Sequence, residues 1–253
     1  MSKPIFEVCL GGVDDVVAAK EGGADRVELC AALVEGGLTP SWGTISAAAT
    51  VGIDMMVMIR PRGGDFDYSQ REFVSMEDDI IRCRDLGVRG VVIGLLDTDG
   101  TIAVDRVRRL LRAAAPLEVT FHRAFDVCRD PHLAMRQLAD LGVSRILTSG
   151  QQATVPEGTE LIRQLIETAP AGMTIMPGCG ITAENLGTVL QATGATEFHA
   201  TAFRREESRM QHRNDRVYMG IPGLPEYERE ATSAEEVRKF VAVSRQFDRS
   251  PLR

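Results

Sequence analysis

Gly23-Ala24-Asp25-Arg26-Val27 closes one apolar-periodic segment and opens the next. The same junction returns as Gly87-Val88-Arg89-Gly90-Val91, Gly142-Val143-Ser144-Arg145-Ile146 and Gly194-Ala195-Thr196-Glu197-Phe198. In each copy the glycine reads as a helix C-cap, where a left-handed backbone costs least without a Cβ, and the residues after it read as a strand. The copies lie 64, 55 and 52 residues apart, which is about two strand-helix units each.

Working outward, strands are expected near Phe6–Cys9, Arg26–Leu29, Met55–Arg60, Val91–Leu95, Val119–His122, Arg145–Ser149, Thr174–Pro177 and Glu197–Ala200. Helical periods fill the intervals at Val13–Glu21, Trp42–Ala49, Glu72–Leu86, Val104–Ala114, His132–Leu141, Glu157–Thr168 and Ala183–Ala192, with a last one at Ala234–Gln246. Strand then helix, eight times over, is the pattern of an α/β fold of the (β/α)8 TIM-barrel class, for which ~250 residues is typical. Residues 1–253 therefore read as one TIM-barrel domain. A doubly wound open sheet is the weaker alternative, because Leu10-Gly11-Gly12-Val13 is too short for a dinucleotide fingerprint. After strand eight, a long loop at about 203–232 is too irregular for a regular element.

Composition narrows the function. A formal net charge of -7 without a basic cluster argues against nucleic acid and against an anionic membrane surface. No stretch approaches the ~18 apolar residues of a membrane span, and the N-terminus carries no signal-peptide core, so a cytoplasmic protein is expected. Five cysteines without a CxxC pair make reduced thiols the expectation. The expected partner is a small molecule or ion, and the expected assembly a homodimer.

Strand parity locates the chemistry. One face of the strands is apolar (Phe6, Val8, Val27, Leu29, Val119, Phe121, Phe198) and must meet the helices. The other carries Glu7, Glu28, Arg60, Glu118, His122, Glu197 and His199 into the barrel. Each buried charge left unpaired would cost several kcal/mol, so these groups must pair, meet water or serve a ligand.

Met58-Ile59-Arg60-Pro61-Arg62-Gly63-Gly64-Asp65-Phe66 ends a strand in two arginines. Arg60 and Arg62 share a parity, and the glycines after them allow close backbone approach, so Arg60, Arg62 and Asp65 are read as part of an anion site. The alternative is that the arginines pair with inward carboxylates. Strand five ends in His122, Arg123 and Asp126, an acid-base or ligand cluster, with His199 in the same orientation. Strand six ends at Ser149-Gly150. Gly178 and Gly180 follow strand seven, where barrels commonly seat a phosphate on backbone N–H groups beside a helix N-terminus. Glu7, Glu28, His122 and Asp126 are the candidate catalytic groups. Arg60, Arg62, Asp65, Arg123, Ser149, Gly150, Gly178, Gly180 and His199 are the candidate substrate contacts. Cys83 reads as packing, and Cys128 and Cys179 lie in loops. Cys9 and Cys30 share the inward parity on neighbouring strands ~4.8 Å apart, where two thiolates reach one soft ion such as Cu(I) or remain inert buried thiols.

The segments Phe6–Cys9 (FEVC), Gly23–Ala31 (GADRVELCA), Glu35–Ser41 (EGGLTPS), Ile59–Phe66 (IRPRGGDF), Val119–Asp126 (VTFHRAFD) and Leu147–Gln151 (LTSGQ) resemble, in order, the CutC family of copper-homeostasis proteins. The resemblance implies a TIM barrel, a cytosolic location and a role in copper homeostasis. It also implies Cu(I) binding by thiolates, with Cys9 and Cys30 at the positions of the cysteines proposed for it; on that reading Met56 or Met58 would be soft neighbours. It implies nothing about Glu7, Arg60, Arg62 or His122. The chemistry of the rim points instead to an enzyme acting on a small phosphorylated or carboxylated substrate. A non-catalytic barrel acting through its surface is the third reading.

Overall fold

The computed structural model describes residues 3–217, 219–221 and 223–247. Met1, Ser2, Tyr218, Pro222 and 248–253, which the one-domain reading includes, lie outside the described residues. Eight parallel strands alternate with eight helices. They are β1 (Ile5–Leu10), α1 (Val13–Gly22), β2 (Arg26–Leu29), α2 (Trp42–Ala49), β3 (Asp54–Met58), α3 (Gln70–Leu86), β4 (Gly90–Ile93) and α4 (Val104–Ala114). The second half comprises β5 (Glu118–Phe121), α5 (Pro131–Leu141), β6 (Arg145–Thr148), α6 (Val155–Thr168), β7 (Thr174–Pro177), α7 (Leu186–Thr193), β8 (Glu197–Ala200) and α8 (Ala234–Gln246). Strands pair in order from β1 to β7, β8 pairs with β1, and a parallel bridge between Gly178 and His199 closes the ring.

The register follows the recurring junction. Arg26 pairs with Asp54 while Met56 pairs with Gly90, and Gly90 pairs with Glu118 while Thr120 pairs with Arg145. The pairing therefore climbs by two residues for every two strands, the stagger of a closed eight-stranded barrel. Consequently the fourth residue of each junction copy, Arg26, Gly90, Arg145 and Glu197, falls in one interior layer from alternate strands. The apolar parity faces the helices: Phe6 stacks on Phe198 at 4.7 Å between ring centroids and meets Phe240 of α8 at 4.9 Å.

Helix starts depart from the expected positions where side-chain hydrogen bonds set them. Ser69 accepts from the Glu72 N–H and Glu72 returns a bond to the Ser69 N–H, so α3 begins at Gln70. Before α7, Asn185 accepts from Thr182 N and donates to the Gly180 carbonyl, which holds 182–185 as turn and delays the helix to Leu186. The stretch after β8 is not wholly irregular either. Phe203–Glu207 (β9) and Glu228–Thr232 (β10) form an antiparallel ribbon. No helix among the described residues is long and apolar enough to cross a membrane.

Candidate functional site

The floor of the barrel is an ion-pair layer. Arg26 donates from Nε to Glu7 at 2.5 Å and from Nη2 to Glu197 at 2.6 Å, and Arg145 donates from Nε to Glu197 at 2.6 Å. The Glu7 carboxyl, although burial opposes its charge, is lowered to about 2 by Arg26 and His199. Glu7 therefore does not open onto the mouth with the other candidate catalytic groups. It is fully buried, and its second oxygen contacts His199 Nδ1 at 2.9 Å.

Above this floor a cavity of about 1150 Å³ opens at the C-terminal ends of the strands. Cys9, Glu28, Met58, Arg60, His122 and His199 line its base. Residues of the β9–β10 ribbon, including Phe203 and Arg229, wall one side. Glu28 is the hub. Its Oε2 lies 3.4 Å from both the Cys9 and Cys30 sulfurs and 3.8 Å from His199 Nε2, while Oε1 has no partner. Burial above all, then the negative groups around it, hold the Glu28 carboxyl well above the ordinary carboxylate range, despite the pull of His199. Burial opposes charge on His199 as well, but Glu28, Cys9 and Glu7 raise its imidazole well above the ordinary value. Of the two thiols, Cys9 is the acidic one: the Cys30 hydrogen bond outweighs burial, and His199 adds to the effect.

His122 and Arg60 occupy the opposite wall. His122 Nδ1 accepts from Ala124 N at 3.0 Å, which leaves the ring proton on Nε2, an atom with no partner. Burial first, then the Arg60 charge, lowers this imidazole to about 3. Arg60 Nη1 donates to the Glu35 and Gly37 carbonyls and Nη2 to the Gly64 carbonyl, and its Nε has no acceptor.

Several expected contacts are otherwise engaged. Arg62 does not join Arg60, because β3 ends at Met58 and the chain bends at Pro61. Its Nε donates to Glu72 and its Nη2 to Asp65, and it stacks on Tyr68, so Arg62 and Asp65 brace the loop. Gly63 and Gly64 admit the protein's own chain and not a ligand: a Cβ on Gly63 would meet Glu35 Oε2 at 2.6 Å. Asp126 accepts from Thr148 Oγ1, from the amides of Ser149 and Gln151, and from Arg123 Nε, a set that ties the loop after β6 and leaves it no catalytic lone pair. Ser149 joins the same knot through Arg123 Nη2, and Gly150 packs so tightly on the backbone of Gly158 that no Cβ fits. The Gly178 N–H donates to the Thr148 carbonyl and so is not free for a phosphate, and α7 starts only at Leu186, after a turn over 182–185 that lines the cavity. Gly180 itself lines the cavity.

Sequence reasoning passed over Arg145, which the junction repeat places beside Arg26, and Phe66, which lines the cavity between Arg60 and His122. Of the remaining thiols, burial pushes Cys83 up to about 12 and Cys128 up to about 11, consistent with inert packing.

A family model described as the CutC family matches residues 4–204. A family protein CutC of Parabacteroides distasonis is 49% identical over 242 residues, covering 94% of this chain and 100% of its own length. The copper homeostasis protein cutC homolog of Homo sapiens is 44% identical over 243 residues, covering 95% and 89% respectively. The solved structure of CutC from Streptococcus agalactiae superposes with a TM-score of 0.75 at 37% identity, over 78% of this chain and 98% of that one. A thiamine phosphate pyrophosphorylase from Pyrococcus furiosus, with a TM-score of 0.58 at 12% identity, covers 97% of each chain and shares the fold alone. Matched over most of its length by the family model and by these relatives, the chain belongs to the CutC family.

Proposed function

We propose that this protein serves copper homeostasis by holding Cu(I) between Cys9 and Cys30. One observation carries the reading: the two sulfurs and a Glu28 oxygen lie within 4.8 Å of one another, with Cys9 and Glu28 lining the cavity and Cys30 fully buried beside them. The donors suit the ion. Thiolates are the soft ligands that select Cu(I), Cys9 is the more acidic thiol, and Cys30 and Met58 meet over Gly37, where a Cβ would touch both. His199 would balance the thiolate charge. In competition with a chromogenic Cu(I) chelator, the reduced protein is expected to retain one Cu(I) per chain, and Cys9→Ser with Cys30→Ser to lose it. Unchanged affinity in the double variant overturns the reading.

A second reading, proton-transfer catalysis at the same mouth on a small anionic substrate, is favoured by Glu28. A buried carboxyl with one oxygen unpartnered, held above its usual range beside an ionised His199, suits a general acid. Carboxyl ¹³C spectra of the reduced protein should contain one group titrating above the ordinary carboxylate range that vanishes in Glu28→Gln. A Glu28 ionised in the ordinary range overturns it.

A further inference from the structure

Neither reading uses the wall formed by Arg60 and His122. Arg60 is 6% exposed and His122 4%, and both face the cavity. A guanidinium this deep is ordinarily matched by a carboxylate, yet Arg60 forms no ion pair among the described residues: it donates to three neutral carbonyls and lies beside the buried Tyr68 hydroxyl. Glu35, whose carbonyl is one of the three, turns its carboxylate toward Gly63. Two N–H donors are thus left without acceptors on one wall, Arg60 Nε and His122 Nε2. Buried donors left so are destabilising, and in native proteins they call for a partner.

Phe66 covers both. The Arg60 guanidinium carbon lies 5.1 Å from the centroid of its ring, and the His122 ring lies 5.1 Å from it on a tilt of 51°. Phe66 is the partly exposed member of the three and follows Gly64, whose φ of +82° places it in the left-handed region. The surroundings make room for the two donors. A Cβ on Gly94 would run into the His122 ring, and one on Gly36 would sit 3.3 Å from Arg60 Nη1.

We propose that Arg60 and His122 form a recognition site for the carboxylate of a small organic acid, which enters as the Phe66 ring swings off them. Two free N–H donors match the two oxygens of a carboxylate. A phosphate presents more oxygens than this wall can serve, because the other Arg60 nitrogens are held by carbonyls. The displaced Phe66 ring supplies apolar contact for the body of the acid, whose far end points across the cavity toward Glu28. This site names the substrate class of the catalytic reading and stands independently of the metal.

The test uses the reduced, copper-free full chain labelled with ¹⁵N. The Arg60 Nε–H and His122 Nε2–H signals, assigned by their loss in Arg60→Lys and His122→Asn, are followed while sodium acetate, succinate or benzoate is added at millimolar concentration. Sodium phosphate and sodium chloride at matched ionic strength are the comparators. At least one carboxylate is expected to move both signals saturably, with chloride and phosphate inert. Phe66→Ala, which uncovers the donors, should tighten that binding, and Gly94→Ala, which displaces the imidazole, should weaken it by about tenfold, the worth of one charge-assisted hydrogen bond. Silence toward all three carboxylates in both the wild type and Phe66→Ala overturns the proposal, as does phosphate or chloride moving the signals as strongly. Copper competition and the Glu28 titration involve neither Arg60 nor His122, so failure here is distinguishable from failure of either reading above.

Discussion

At the floor of the barrel, Arg26 bridges Glu7 and Glu197, Arg145 reaches Glu197 as well, and His199 closes onto Glu7. At the mouth, the same inward parity supplies Glu28, Arg60 and His122, and each keeps a buried polar atom with no partner. Sequence chemistry is nearly identical in the two regions: acids, arginines and a histidine on alternate strand positions. The difference lies in satisfaction. Interior layers near the floor are narrow enough for opposite charges to meet, whereas toward the mouth the strands give way to loops, and donors and acceptors face a cavity. A charge network that completes itself stabilises the fold, and one left incomplete awaits a ligand.

The largest expected effect breaks the floor. Arg26→Met leaves Glu7 with His199 alone and Glu197 with Arg145 alone, and should cost about 3–5 kcal/mol in urea unfolding. Arg60→Met removes donors from neutral carbonyls only and should cost about 1–3 kcal/mol. Equal losses would erase the distinction drawn between the two regions.

Acid sharpens the comparison. His122 protonates at about 3 when folded and at the ordinary 6.5 when unfolded, so between those values the unfolded chain binds more protons. Stability from its neutral burial is complete above 6.5 and is lost as pH falls toward 3, by an amount on the order of a few kcal/mol. Glu7, at about 2 against 4.5, acts in the same direction but in a lower window. Comparing wild type with His122→Asn in denaturant unfolding across this range isolates the upper window. Parallel curves would show that His122 is not buried as a neutral ring.

Smaller effects are expected where the mouth is already neutral or the group is exposed. Glu28→Gln exchanges one uncharged group for another and should change stability by no more than about 1 kcal/mol, while the corresponding change at Glu7 should be several times larger in the same assay. Arg62→Met, on a side chain 36% exposed, should cost less than about 1 kcal/mol and leave the Arg60 Nε–H signal unmoved. A loss as large as that of Arg60→Met would return Arg62 to the site.

The barrel was legible along the chain because its causes are local. A glycine that ends a helix and a strand parity that follows it are set by backbone sterics and by burial of one face, and the four junctions repeat both. The same parity placed Glu7, Glu28, His122, Cys9 and Cys30 inside. Which inward groups meet depends on the closed barrel. Arg26, Glu197 and Arg145 join across 171 and 52 residues of chain, and this pairing depends on the barrel's stagger and not on any one strand. Pro61 turned Arg62 away from Arg60. A turn bond from Thr182 N to Asn185 delayed the helix after strand seven to Leu186. Neither outcome has a period in the sequence, because each depends on which hydrogen-bond partner a loop residue finds in space.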